Sequence, residues 1–312
     1  MKKIKSLIES KDSNANIINK IRRYFIEREL GRIANNNIIR NKQVAVFAFD
    51  YIGNLINIDG VYEIDDLKIF IKWLESLNSK EIFQGVVLDI GANIGNHSLF
   101  FSDYFTKIYS YEPNPLIYKL LLFNANLVNN VKCFNTGISS SEAIGTLKYN
   151  KSNMGGGRIE QKSNNNSNEF QHTVNLNTID NLIEIENKNS LVKLIKIDVE
   201  GHEFEALIGA EKTIKNNRPI IIFEQHISEF NGGSTKVIEL LKSYGYKYFA
   251  QIDKSPKPPE ALPNFVKLIY STIVRLAIGQ SIKIKLVEKF NPKFYPFIIA
   301  IPDEIYSKSQ AS

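Results

Sequence analysis

The apolar residues of this chain change their spacing near residue 85. Before that point they recur at helical intervals, which predicts an amphipathic helix over 14–34 and another over 65–77. The apolar positions of the first helix are Ile17, Ile18, Ile21, Phe25 and Leu30. Two β-rich runs at 44–50 and 54–59 flank a turn near Gly53 and predict a hairpin.

From residue 85 onward, short apolar runs alternate with helical patterns. The runs that predict main strands are 85–91, 107–113, 131–139, 191–201, 218–226, 246–252 and 294–302, with accessory strands at 145–150 and 172–177. Helices are predicted at 96–105, 116–127, 178–185, 206–216 and 235–244. Strands that alternate with helices indicate an α/β fold with a mostly parallel sheet and right-handed crossovers.

The same pattern divides the chain into an N-terminal helical and hairpin extension, 1–84, and a main domain, 85–312. Residues 253–292 form an insertion that opens with several prolines and continues as an apolar, basic helix over 264–278. That helix could pack on the core, form a homodimer contact, or lie as a peripheral helix on a membrane surface.

The composition fits a folded globular protein, with 43% hydrophobic and 23% charged residues among 312. The formal net charge of +6 suits an anionic partner, but a genome composition rich in Lys, Asn and Ile explains it better. Cys133 is the single cysteine, which excludes a disulfide framework or a cysteine-based zinc site. No signal peptide or membrane-spanning stretch is evident, so we expect a cytoplasmic location.

The segment LDIGANIG (88–95) carries the clearest chemical signal. A strand ends at Asp89, Gly91 and Gly95 permit a tight turn and close backbone approach, and a helix then begins. The spacing differs from the G-x-G-x-x-G of dinucleotide-binding proteins and fits S-adenosylmethionine better than NAD. Glu112 ends the next strand, where an acidic side chain accepts the ribose hydroxyls of an adenosine ligand.

Together with LIKIDVEGHE (194–203), these motifs resemble those of the FkbM-type methyltransferases. Further matching stretches are GVYE (60–63), YEPNP (111–115), LNTIDNLI (176–183) and IIFEQH (221–226). The resemblance implies a class I methyltransferase Rossmann-like fold, with a seven-stranded sheet in the order 3-2-1-4-5-7-6 and an antiparallel strand at 294–302. It also implies S-adenosylmethionine as cofactor and, for most members, O-methylation of sugars or polyketide-derived hydroxyls.

The resemblance also assigns residues to the cofactor. Asp89, Gly91, Ala92, Asn93, Gly95 and Asp198 would hold its methionine part, and Glu112 with Pro113 its ribose. Tyr62 and Glu63 would reach over the cofactor from a segment that precedes the sheet. Asn135, Thr136 and Gly137 would lie beside the adenine.

Four side chains at two neighbouring strand ends are candidates for catalysis. Asp198 and Glu200 share one strand face, and Glu224 and His226 share another. His226 or Glu224 could take the proton of an acceptor hydroxyl, with Glu200 shaping the acceptor pocket. Alternatively, Asp198 is structural, or the four side chains bind a divalent metal ion.

The sequence therefore predicts an O-methyltransferase whose acceptor is a hydroxyl of a small molecule, a sugar or a glycan precursor. Arg158 follows a glycine-rich segment, 152–157, which could be an acceptor lid or an unstructured loop, and its charge would suit a phosphorylated acceptor. A nucleic-acid methyltransferase and a non-catalytic cofactor-binding protein are the alternatives. We expect no nucleic-acid partner, because the motifs for adenine amino methylation and cytosine carbon methylation are absent from the sequence.

Overall fold

The computed structural model describes residues 14–38, 41–77, 79–150, 153–160, 170–186, 191–256, 259, 262–279 and 281–311. The helices are α1 (Asn14–Asn37), α2 (Tyr51–Asp59), α3 (Ile64–Ser76), α4 (Asn96–Phe101), α5 (Pro115–Ala125), α6 (Ile179–Glu186), α7 (Glu203–Ile208), α8 (Glu211–Asn217), α9 (Lys236–Ser243), α10 (Asn264–Ile278) and α11 (Asp303–Ala311). The strands are β1 (Val86–Ile90), β2 (Lys107–Tyr111), β3 (Val131–Phe134), β4 (Gly137–Ile138), β5 (Ala143–Asn150), β6 (Asn153–Glu160), β7 (Phe170–Asn177), β8 (Val192–Ile197), β9 (Ile220–Gln225), β10 (Tyr248–Ser255), β11 (Ser281–Leu286) and β12 (Tyr295–Ile301).

The main sheet has the order β11-β10-β12-β9-β8-β1-β2-β3. Strands β3, β2, β1, β8 and β9 pair in parallel, whereas β12, β10 and β11 pair antiparallel to their neighbours. Seven of these strands follow the predicted order 3-2-1-4-5-7-6, and β12 is the expected antiparallel strand. The predicted number of strands is wrong by one, because the insertion contributes β11 to the edge as well as the helix α10.

A second sheet of four strands lies beside the first, in the order β4-β7-β5-β6. The accessory strands predicted at 145–150 and 172–177 are its members β5 and β7. The glycine-rich segment is not an unstructured loop, because residues 153–160 pair with β5 as strand β6. Its role as an acceptor lid stays a prediction. Residue 152, the first of the segment, lies outside the described residues.

The hairpin predicted at 44–59 is wrong. The Asp50 carboxylate accepts a hydrogen bond from the Gly53 backbone N–H and begins α2, and Gly60 ends it in the left-handed conformation with φ 83°. The Asn124 side chain pairs with the backbone N–H and carbonyl of Ala45, at 2.8 and 2.9 Å. The segment before α2 thus obtains its hydrogen bonds from α5, and needs no partner strand.

Both faces of the main sheet are covered. On one face α3 buries Leu67, Phe70 and Leu74 against side chains of β1, β8 and β9. Lys254 on β10 donates to the buried Asp66 of α3 at 2.7 Å, which ties the helix to the antiparallel end of the sheet. Residues of the N-terminal extension therefore form part of the main hydrophobic core.

Two of the predicted amphipathic helices form but leave their apolar residues in solvent. The positions Ile17, Ile18, Ile21, Phe25 and Leu30 of α1 are all more than half exposed. On α10, Phe265, Val266, Ile269 and Ile273 are exposed, so packing on the core does not account for these four side chains. The dimer and membrane roles of α10 remain predictions. Among the described helices, none is both long and apolar enough to cross a bilayer.

The burial of α3 predicts a large stability effect. Leu74 is completely buried, so Leu74→Ala should lower the free energy of unfolding by about 2–5 kcal/mol through lost burial and a residual cavity. The control is Leu122→Ala on α5, where the side chain is 46% exposed and the expected change is within about 0.5 kcal/mol. Urea unfolding of both variants measures the difference. Equal effects would show that α3 is not part of the cooperative core.

Candidate active site

A cavity of about 400 Å³ lies at the carboxyl ends of β1, β2, β8 and β9. Ligands of open α/β sheets bind at this edge, and the volume is in the usual range for a small-molecule site. The start of α2 and residues 62–63 close one side, and strands β5 and β6 of the small sheet close another. Two sheets and the N-terminal extension thus share a single cavity.

The turn after β1 forms the floor of this cavity. Gly91 has φ 77°, and a Cβ atom placed on it would lie 1.8 Å from the carbonyl oxygen of Asp198, so no other residue fits there. The N–H groups of Gly91 and Ala92 both donate to the Tyr111 carbonyl at 3.0 Å. The turn is therefore fixed against both neighbouring strands, β2 and β8, before any ligand binds.

Glu112 stands at the end of β2 with both carboxylate oxygens engaged. Its Oε2 accepts from the Asn93 N–H at 3.0 Å and its Oε1 from the Asn114 N–H at 2.8 Å. Burial raises the pKa of Glu112 to about 7, although these two N–H groups and the Lys196 charge oppose the increase. Each oxygen keeps a second lone pair, so the carboxylate can still accept two vicinal hydroxyls.

Behind the turn, Lys196 of β8 forms the centre of a buried ionic network. Its Nζ lies 3.3 Å from Asp89 Oδ1 and 3.4 Å from Asp198 Oδ2, and it donates to the Gly91 carbonyl at 3.1 Å. Burial alone would lower the pKa of Lys196, but the two carboxylates raise it above its ordinary value. This network fixes both Asp89 and Asp198.

Three of the four candidate catalytic side chains come together at the other end of the cavity. His226 Nε2 lies 2.9 Å from Glu224 Oε1 and 3.8 Å from Glu200 Oε2, while Asp198 remains with Lys196. Burial, followed by the negative charges of Asp198 and Glu200, raises the pKa of Glu224 to about 9. Glu200 has φ 52°, and burial and Asp198 raise its pKa too.

The segment around Tyr62 and Glu63 reaches the cavity as the sequence resemblance implied. Asn96, at the start of α4, accepts from the Tyr62 N–H at 2.9 Å and donates to the Tyr62 carbonyl at 3.1 Å. Glu63 Oε2 lies 3.2 Å from Nε2 of His97. The sequence analysis indicated neither Asn96 as a positioning residue nor His97, which lines the cavity.

The small sheet approaches the turn after β1 closely at Gly155, where the nearest atom belongs to the Asn93 side chain. A Cβ atom on Gly155 would lie 2.4 Å from Asn93 Nδ2. Beside it, Pro113, Thr136 and Gly137 line the part of the cavity nearest Glu112. Thr136 and Gly137 are two of the three residues that the sequence resemblance places beside the adenine.

Some residues predicted for the site are near the cavity but not on its wall. Asp89, Ala92, Gly95, Asn135, His226 and Arg158 are not among the residues that line it. Asp89 is fully buried and accepts from Ser98 Oγ at 2.5 Å, and Asn135 donates to the Glu112 carbonyl at 2.8 Å. His226 lies at the mouth, 43% exposed, with its ring 5.3 Å from that of Phe294. These positions support the wall or its rim.

The pKa of Glu112 predicts a pH-dependent affinity for an adenosyl ligand. Only the ionised carboxylate accepts from both ribose hydroxyls, so the dissociation constant of S-adenosylhomocysteine should rise by roughly tenfold for each pH unit below about 7. Burial is the main cause of this value, and the charged neighbours Lys196 and Asp89 act on it in opposite directions. Calorimetry between pH 5 and 8 measures the slope. Glu112→Gln should bind weakly with a flat profile; a variant that keeps the wild-type slope would exclude Glu112 as its source.

Comparisons with known proteins agree with this geometry. Residues 89–248 match the model of the methyltransferase FkbM domain. The hexuronic acid methyltransferase AglP of Haloferax volcanii is 28% identical over 138 residues, which are 44% of this chain and 54% of AglP. The match thus spans about half the length of that curated relative.

Two solved structures are also similar to this chain. An O-methyltransferase from Bacillus cereus in complex with SAH has a TM-score of 0.39 and 13% identity, over 88% of this chain and 90% of that one. A methyltransferase FkbM from Methylobacillus flagellatus KT has a TM-score of 0.31 and 18% identity, over 45% and 32%. The matched family domain contains the turn after β1, Glu112 and the cluster around Glu224, and the chain belongs to the FkbM methyltransferase family.

Proposed function

We propose that this methyltransferase uses S-adenosylmethionine to methylate a hydroxyl group of a sugar or glycan precursor. The observation that carries the proposal is that one cavity joins a nucleoside-binding end, formed by Gly91 and Glu112, to a proton-accepting end, formed by Glu224 with His226 at its rim. An O-methyltransferase needs both ends within the length of one cofactor.

The residues at the first end fit the cofactor chemically. Gly91 leaves no side chain between the turn and the cavity, and Glu112 has lone pairs for two hydroxyls. Asp198, 35% exposed on the cavity side of Lys196, offers a carboxylate to the ammonium group of the methionine part. When bound, S-adenosylmethionine supplies an electrophilic methyl group on a sulfonium.

At the second end, Glu224 is the base that this chain offers. Its carboxylate lines the cavity, whereas His226 lies at the mouth and contacts it at 2.9 Å. As the acceptor oxygen bonds to the methyl carbon and the C–S electron pair stays on sulfur, Glu224 takes the hydroxyl proton. His226 orients the carboxylate and passes the proton to solvent.

The name of the relative AglP supports a sugar acceptor, because that protein is a hexuronic acid methyltransferase. The ring of Phe294, which is 50% exposed and lies beside His226, provides an apolar face against which a sugar ring can pack. Incubation with radiolabelled S-adenosylmethionine and a panel of sugars and glycans tests the activity directly. Failure to bind either the cofactor or S-adenosylhomocysteine would refute the proposal.

The base assignment predicts a defect confined to methyl transfer. Glu224→Gln removes the proton acceptor at nearly constant volume, so the single-turnover rate should fall about 100-fold or more while cofactor affinity stays within about threefold. In the wild type the rate should rise with pH to an apparent pKa at or below about 9, because the transfer needs the ionised carboxylate and a bound sulfonium stabilises it. A variant with near-normal single-turnover rates would exclude Glu224 as the base.

The same geometry predicts that methyl transfer needs no metal ion. Glu200, Glu224 and His226 have ligand atoms within 4.8 Å of one another, but the short contact between Glu224 and His226 already engages both groups. Activity should therefore survive treatment with EDTA followed by desalting. A loss that Mg²⁺ or Mn²⁺ restores would instead assign the three side chains to a metal site.

A further inference from the structure

We propose that the sugar ring methylated by this protein carries no negative charge, and that Glu200 excludes uronates and sugar phosphates from the acceptor end of the cavity. The inference rests on the proposed O-methyl transfer and narrows its substrate class to uncharged or amino-bearing rings. It also separates this chain from the hexuronic acid methyltransferase to which it is similar.

The first support is the balance of charges on the cavity wall. Among the described residues that line the cavity, Lys196 is the only lysine or arginine. The acidic side chains on the same wall are Asp50, Glu63, Glu112, Asp198, Glu200 and Glu224. An anionic acceptor would therefore meet many carboxyl groups and a single lysine in a partly desolvated site, where repulsion from each ionised carboxylate is strong.

The lysine cannot serve as a counter-ion for the acceptor. Lys196 is 5% exposed and lies between Asp89 and Asp198, with its third contact on the Gly91 carbonyl. His97, the other basic group on the wall, lies 3.2 Å from Glu63. Lys196 and His97 thus both lie against carboxylates of the protein itself.

The cofactor does not reverse this balance. S-adenosylmethionine has a sulfonium, an ammonium and a carboxylate, so it brings one net positive charge, and Asp198 is placed to pair with its ammonium group. Glu200 and Glu224 remain on the acceptor side. The raised pKa values of both, due to burial and to neighbouring carboxylates, reflect a local field that already resists one more negative charge.

The arginine that could have accepted a phosphate lies off the cavity wall. Arg158 of β6 is exposed and does not line the cavity, although its neighbours Gly157 and Ile159 do. The expectation of a phosphorylated acceptor bound by Arg158 therefore finds no support at the reacting end of the cavity. Glu200 is the better position for discrimination, because it is 37% exposed and close to both Glu224 and His226.

The first test compares matched sugars under labelled methyl transfer. Methyl glucoside, methyl glucosaminide and methyl glucuronide, with their galacto and manno counterparts, differ in charge at nearly constant shape. The neutral or amino member of a series should be methylated at least tenfold more efficiently, in kcat/KM, than its uronide. Glu200→Gln should reduce that ratio, and Glu205→Gln, a carboxylate off the cavity wall, should not. Equal or better use of a uronide by the wild type overturns the proposal.

The second test does not depend on the identity of the acceptor. Sinefungin carries an amine where the cofactor carries its transferred methyl, whereas S-adenosylhomocysteine has no charge there. The affinity ratio of sinefungin to S-adenosylhomocysteine should fall severalfold in Glu200→Gln and stay constant in Glu205→Gln. An unchanged ratio in Glu200→Gln overturns the inference even if no panel sugar reacts. If neither ligand binds the wild type, the proposed function itself fails, which is a distinguishable result.

Discussion

The site depends on one buried cation. Lys196 joins the ends of β1 and β8 through Asp89, Asp198 and the Gly91 carbonyl, in a place where an unpaired charge would be very costly. This network holds the Gly91 turn against Asp198, so the floor of the cavity and its central carboxylate form a single unit. The same network determines the position of Glu112, because the Asn93 N–H that donates to its carboxylate belongs to the same turn.

The parallel part of the sheet could be predicted from the sequence because its strands are buried on both faces. Strands β1 and β9 begin with uninterrupted apolar residues and show no alternation of apolar and polar positions, which is typical of buried parallel strands. The segment before α3 could not be predicted in this way, since its Ile and Val residues suit either a strand or a helix. The signal that would have found α2 is the pair of caps, Asp50 and Gly60, at its two ends.

The candidate site was predictable only where it is local in the sequence. The turn after β1 and Glu112 depend on backbone geometry within short stretches of the chain, and a sequence motif identifies such stretches. Asn96 and Gly155 act on residues far away in the chain, so their roles appear only when Tyr62 and Asn93 are placed beside them. The position of His226 could not be predicted from the sequence for the same reason. Its strand neighbour Glu224 is on the wall, whereas the histidine lies one step beyond it at the rim.

Strand β11, the edge strand that the insertion adds to the main sheet, changes the sheet edge that is exposed to other copies of the protein. Its inward positions Ile282 and Ile284 are partly buried, while the alternate positions Lys283 and Lys285 are exposed. A sheet that ended at β10 would leave a row of open backbone groups ready to pair with another molecule. With lysines alternating along the final strand, approach of a second edge brings like charges together, and the insertion protects the folded chain from edge-to-edge aggregation.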